Sequence, residues 1–270
     1  DFVSPDNTSD GNLQKRWKII DGKRCLLKSG STPFRQQPFN EVIATLIMNK
    51  LGIEHVPYTI TWIDNKPYSV CEDFVTKDTE LISAWRVLQL RQKENHESSY
   101  LHYVNICKEL GIDIAPALDR MIVLDYIIAN EDRHFNNFGL LRDANTLEWI
   151  GAAPIFDSGT SLWYDTSARG ISTYDIPCKP FKKNHSEQLR MVSSFDWLDI
   201  SKLDGVEDDI LNILCEDNAV QYVEVERAKA IAAEVRKRID TLEIIVSSHK
   251  SYDILSNGGD VEEVNAASYD

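Results

Sequence analysis

Apolar and polar positions alternate, then recur at helical spacing, along most of the chain. Trp17-Lys18-Ile19-Ile20 and Cys25-Leu26-Leu27-Lys28 flank Asp21-Gly22, a two-residue hairpin signal. Tyr58–Ile63 and Tyr68–Cys71 flank Asp64-Asn65-Lys66 in the same manner. Between the hairpins, Val42, Ile43, Leu46, Ile47 and Leu51 mark one face of a helix, with Asn40 as its N-cap, Glu41 in its first turn and Gly52 as its stop. From residue 78 the spacing turns helical, over 78–92 and 98–110. Pro116 opens a third helix that is apolar nearly all round through Ile128, which predicts burial. A further hairpin is predicted across Asp143–Thr146, then a short helix over 206–216 and a long amphipathic one over 219–247. The pattern divides the chain into a small β-rich lobe (1–77), a mostly helical lobe (78–249) and a polar, acidic and flexible tail (250–270). The fold class this predicts is α+β and two-lobed.

Bulk properties narrow the picture further. At 270 residues the chain is long enough for a large core. A net charge of −14 argues against direct, non-specific nucleic-acid binding. The five cysteines, odd in number, are far apart and form no CxxC pair. That suggests free thiols in a reducing cytoplasm, without a zinc site or disulfide framework. No apolar run approaches the roughly 18 residues needed to span a bilayer.

The chemistry concentrates in Asn130-Glu131-Asp132-Arg133-His134-Phe135-Asn136-Asn137-Phe138-Gly139, followed by Phe156-Asp157-Ser158-Gly159. A carboxylate, a carboxamide five residues later and a second carboxylate after a hairpin form the order in which protein kinases present a catalytic Asp and two metal ligands. Asp132 suits orientation and deprotonation of a hydroxyl. Asn137 and Asp157 offer oxygens suited to Mg²⁺. Lys28 at a strand end is placed to reach nucleotide phosphates, and Glu41 to pair with it. Residues 1–15 have turn composition, with Gly11 the one glycine, and read as a loop over phosphates or as a frayed terminus. The hydroxyl-rich stretch 158–187, which also holds Lys179, Lys182 and Lys183, reads as a lid, a binding loop or a solvated excursion.

These residues carry a family resemblance. From about Ser4 to Val246 the sequence resembles the HipA-like serine/threonine kinases, toxins of bacterial toxin–antitoxin systems. The quoted parts are Asn130–Phe138, Pro154–Asp157, Leu26-Leu27-Lys28, Phe39-Asn40-Glu41 and Val70–Phe74, with the family's Asp-x-His order at Asp132 and His134. The resemblance implies a protein-kinase-like fold using ATP and Mg²⁺. It implies Asp132 as base, His134 as support for its loop, Asn137 and Asp157 on the metal, Lys28 on the phosphates, and Glu72 and Phe74 offering hinge backbone to adenine. It makes Ser4–Gln14 a phosphate-covering loop, with Thr8 and Ser9 as acceptors for autophosphorylation. It also implies a protein substrate, an aminoacyl-tRNA synthetase among the family's targets, and an antitoxin partner. Full-length members carry a further N-terminal subdomain, which here would be absent, trimmed away or supplied by a separate protein. Two other readings are open: a kinase-fold phosphotransferase acting on a small molecule or lipid, and an inactive kinase-like binding module.

Overall fold

A computed structural model describes residues 15–172, 176–216 and 218–257. Thr8, Ser9 and Gly11, and the phosphate-covering loop expected around them, lie outside the described residues.

The chain is α+β, with a small sheet lobe and a larger, mainly helical one. β1 (Lys15–Ile20) and β2 (Lys23–Ser29) pair antiparallel, Lys15 opposite Lys28. Asp21 and Gly22 both have positive φ, 51° and 79°, the backbone that a two-residue turn between right-twisted strands requires. Helix α1 (Gln37–Leu51) follows, then β3 (Thr59–Ile63) and β4 (Lys66–Glu72), joined through Asp64 and Asn65 at φ 50° and 58°. The sheet order is β1-β2-β4-β3. Expected and observed hairpins therefore agree, because their turns are written locally in residues that tolerate left-handed backbone.

Helix α1 corrects one expectation. It starts at Gln37 with Pro38 in its first turn, so Asn40 and Glu41 lie a turn inside it. Asn40 caps nothing: its side chain is buried and donates to the Gly159 and Ser161 carbonyls at 2.9 and 2.7 Å.

The stretch 78–92 is a second correction. It holds β5 (Thr79–Ser83) and only a five-residue helix, α2 (Ala84–Leu88). β5 pairs with β6 (Gly139–Asp143), which pairs with β7 (Trp149–Ala152). A Cβ on Gly139 would lie 2.2 Å from the Ile82 carbonyl oxygen, so the close approach of the two strands requires glycine there.

The larger lobe continues with α3 (Ser99–Glu109), α4 (Ala115–Ile127), α5 (His185–Leu189), α6 (Val206–Leu214) and α7 (Val225–Asn257). Helix α7 begins six residues after its expected start and runs ten past its expected end, into the stretch read as a tail. Helix α4 is buried on all sides, as its composition predicts; Met121, Ile122, Val123, Leu124 and Ile127 are at most 3% exposed. One apolar core joins α1, α4, α6 and α7. A smaller cluster of Val56, Tyr58 and Cys71, flanked by Leu26, Val42, Phe74 and Phe156, lies under the small sheet. All five cysteines are free, and among the described residues no helix is long and apolar enough to cross a membrane.

Candidate active site

Helix α4 ends at a left-handed residue, Ala129 (φ 49°), which turns the chain out of the core into Asn130–Asn137. Buried Asn130 steadies the turn: its amide donates to Asp125 and its carbonyl oxygen accepts from the Asp132 backbone N–H at 3.2 Å. The anchor of the loop is Arg133, fully buried against Asp125. Its guanidinium bonds both Asp125 carboxylate oxygens, the Asn137 carbonyl at 3.2 Å, the Phe156 carbonyl and the Ser158 hydroxyl at 3.0 Å. One planar five-donor group thereby ties the loop to the residues on both sides of Asp157. Residue type and order alone assign no role to Asp125 or Arg133. The signal was present: a carboxylate inside an otherwise apolar helix must find a buried cation.

Lys28, Glu41 and Asp157 come together. The Lys28 ammonium donates to Glu41 at 3.0 Å, to Asp157 at 2.8 Å and to the Tyr58 hydroxyl at 3.2 Å. Burial disfavours the ammonium charge, but Asp157 and Glu41 outweigh it and hold the Lys28 pKa well above the ordinary lysine value. Burial likewise opposes ionisation of Asp157. The positive charges of Lys28, Lys15 and Arg133, Lys28 foremost, overcome it and keep the carboxyl well below the usual range. Asp157 has left-handed backbone (φ 58°), an uncommon conformation for a residue with a side chain. The second oxygen of Glu41 accepts the Ser158 N–H at 2.9 Å, so α1 fixes both the lysine and the segment after Asp157.

Asp132, His134 and Asn137 share the tight loop, but by backbone contacts rather than a side-chain triad. The Asn137 amide donates to the Asp132 carbonyl at 3.1 Å, and the His134 N–H donates to the same oxygen at 2.8 Å. His134 Nε2 is 3.9 Å from the Asp132 carboxylate, too far for a hydrogen bond. Lys179, from the stretch expected to be a lid, a binding loop or a solvated excursion, reaches the loop: its ammonium donates to Asp132 Oδ1 at 2.6 Å. The Asn137 side-chain oxygen is buried and has no hydrogen-bond partner among the described residues. An orphaned carboxamide oxygen on the loop that Arg133 joins to Asp157 fits a hard cation completed by phosphate oxygens and water. Among the described residues no three His, Cys, Asp or Glu side chains form a metal cluster by themselves.

The expected hinge residues part company. Glu72 ends β4 with its side chain exposed and paired to Lys23 at 2.7 Å. Phe74 packs on Phe156 at 5.3 Å between ring centroids, next to Leu26 and Cys71, which makes an apolar wall.

The arrangement can be set beside known proteins. The chain is 27% identical over 164 residues to the serine/threonine-protein kinase CtkA of Helicobacter pylori, a match covering 58% of this chain and 48% of that protein. It thus spans about half the length of that curated relative. The crystal structure of H. pylori proinflammatory kinase CtkA shares the fold, with a TM-score of 0.61 at 19% identity over 89% of this chain and 94% of the other. A weaker likeness, TM-score 0.48 at 12% identity over 86% and 67% of the two chains, is to HipA of Shewanella oneidensis MR-1 in its toxin–antitoxin complex with HipB and operator DNA. The profile of the HipA-like C-terminal domain matches residues 11–242, and the chain belongs to that family.

Proposed function

We propose that the chain is a Mg-ATP-dependent serine/threonine protein kinase. The observation that carries this reading is the buried Lys28 shared between Glu41 and Asp157, with Arg133 linking Asp157 to the loop of Asp132 and Asn137. Lys28 is the phosphate-binding lysine and Glu41 holds it in place. Asn137 and Asp157 would hold Mg²⁺, which when bound neutralises charge on the phosphates. Asp132 orients the acceptor hydroxyl and takes its proton as the oxygen attacks the γ-phosphorus and ADP departs. His134 shapes the loop through its backbone bond to Asp132. Leu26, Cys71, Phe74 and Phe156 offer the apolar surface an adenine needs, and backbone near Glu72 and Phe74 meets its edge. Autophosphorylation at Thr8 or Ser9, a cytosolic protein substrate such as an aminoacyl-tRNA synthetase and an antitoxin-type partner belong to the same proposal on family grounds. The five free thiols are in keeping with a reducing cytoplasm.

The test is transfer of labelled phosphate from Mg-ATP, read by intact mass, onto the chain itself and onto proteins of a bacterial lysate. The expected result is label on serine or threonine that Asp132→Asn lowers by about 100-fold or more while the protein stays folded. Equal labelling by the variant would overturn the assignment. Label only on lipids or metabolites would make the chain a small-molecule phosphotransferase.

A further inference from the structure

Lys28 is committed. Its ammonium is buried and shared between Glu41 and Asp157, so it is held where the nucleotide phosphates would lie. The acceptor side, around Asp132, has a different cation. Lys179 Nζ is 2.6 Å from Asp132 Oδ1, although 47 residues separate the two.

The placement of Lys179 is fixed by the backbone that carries it. Pro177 and Asn184 form an antiparallel bridge, and the Cys178 N–H donates to the Lys183 carbonyl at 3.1 Å, which closes the turn. The buried Gln188 side chain fastens the turn from within. It donates to the Lys179 carbonyl at 2.9 Å and accepts from the Phe181 N–H at 3.0 Å. The Phe181 ring then packs on Phe135 and Phe138, at 5.8 and 6.1 Å between centroids, and both of these flank Asn137. The turn is thus docked on the same loop that carries Asp132. The ion pair itself is open to water, its side chains 56% and 35% exposed, and pairs of that kind add little to stability. A rigid mount under a stability-neutral contact points to chemistry.

We propose that Lys179 is a further catalytic residue: its ammonium orients the Asp132 carboxylate and donates to the phosphoryl group as it transfers. This rests on the kinase reading given above. In the step, the acceptor oxygen bonds to the γ-phosphorus. The bond from that phosphorus to the β,γ-bridging oxygen breaks, and its electron pair leaves with ADP. The hydroxyl proton passes to Asp132. Charge spread over the non-bridging oxygens of the moving group is met by an ammonium already in position. Asp132 by itself offers no positive charge to that group, and Lys28 is occupied elsewhere.

The experiment compares the parent, Lys179→Ala, Lys179→Arg and the control Lys183→Ala. Two quantities are read: steady-state kinetics with myelin basic protein as acceptor, and equilibrium affinity for Mg-ADP with and without aluminium fluoride, which mimics the phosphoryl group in flight. The expected result for Lys179→Ala is a kcat about 100-fold lower, a KM for ATP within a few-fold of the parent, and an unchanged melting temperature. Its affinity for Mg-ADP is unchanged, while the extra affinity conferred by aluminium fluoride is lost. Lys179→Arg recovers part of both, and Lys183→Ala resembles the parent. Parent-like kcat and aluminium fluoride affinity in Lys179→Ala would overturn the proposal and leave the kinase reading standing. So would an equal loss of affinity for Mg-ADP with and without the fluoride, which marks a ground-state binding role. A parent that neither transfers phosphate nor binds Mg-ADP overturns the kinase reading, and this proposal with it.

Discussion

Lys28 and Asp157 are 129 residues apart in sequence and 2.8 Å apart in the fold, with the Lys28 ammonium also shared by Glu41 at 3.0 Å. Removing the cation deprives the buried Glu41 and the part-buried Asp157 of the ammonium they share. Lys28→Met should therefore lower stability by about 3–5 kcal/mol as well as abolish nucleotide-dependent activity. Urea denaturation checks the first part; a variant as stable as the parent would show that the triad contributes no net pairing.

Arg133 needs its shape as much as its charge. Lysine has no planar fork and cannot serve Asp125, Ser158 and the Asn137 and Phe156 carbonyls together. Arg133→Lys should cost about 1.5–3 kcal/mol, the worth of a charged hydrogen bond left unmade. Protease digestion should then begin within 130–139, and retention of full thermal stability would contradict the anchoring role.

Asn137 lets the proposed Mg²⁺ role be tested apart from folding. Its amide makes one bond, to the Asp132 carbonyl, and its oxygen has no partner among the described residues. Asn137→Ala should raise the half-saturating Mg²⁺ concentration by at least the roughly 10-fold that loss of even an outer-shell partner produces. Stability should fall by no more than about 1 kcal/mol. An unchanged Mg²⁺ titration would remove Asn137 from the metal site.

His185 gives a pH dependence with a definite sign. Burial, then the nearby Arg238 charge, hold its pKa down at about 3, against a partial rise from a hydrogen bond with the Asn130 backbone. The folded protein keeps the ring neutral at pH values where the unfolded chain, near the ordinary 6.5, binds a proton. Stability from this residue is complete above about pH 6.5 and is lost as pH falls from there towards 3, by up to about 1.4 kcal/mol per unit. His185→Phe should flatten the slope of unfolding free energy between pH 6.5 and 4.5; an identical slope in the variant would assign the acid sensitivity elsewhere.

The features that were legible in the sequence have local causes. Asp21-Gly22 and Asp64-Asn65 announce their turns because those residues accept left-handed backbone, and α4 announces its burial by composition. The strand Thr79–Ser83 was hidden because its partner, Gly139–Asp143, lies some sixty residues downstream and five residues show too little period to separate strand from helix. Asn40 misled for a related reason. A carboxamide near a helix start is a good cap locally, but two carbonyls of the segment 159–161 claimed it. At the candidate site, Lys28, Glu41, Asp132, Asn137 and Asp157 were singled out through residue type and order. Asp125–Arg133 and Lys179–Asp132 were not, since each is a pairing that only the folded chain creates.

The three bonds from Asn40 and Glu41 to Ser158, Gly159 and Ser161 are buried and short, and they leave α1 no room for a graded swing. Water cannot replace them one by one, because a half-withdrawn helix would strand a carboxylate, an amide and two carbonyls in a dry seam. Withdrawal of α1 is then a single cooperative event that also removes Glu41 from Lys28. Any ligand or partner that displaces α1 by that route must act as a toggle, populating two states rather than a continuum of partly shifted ones.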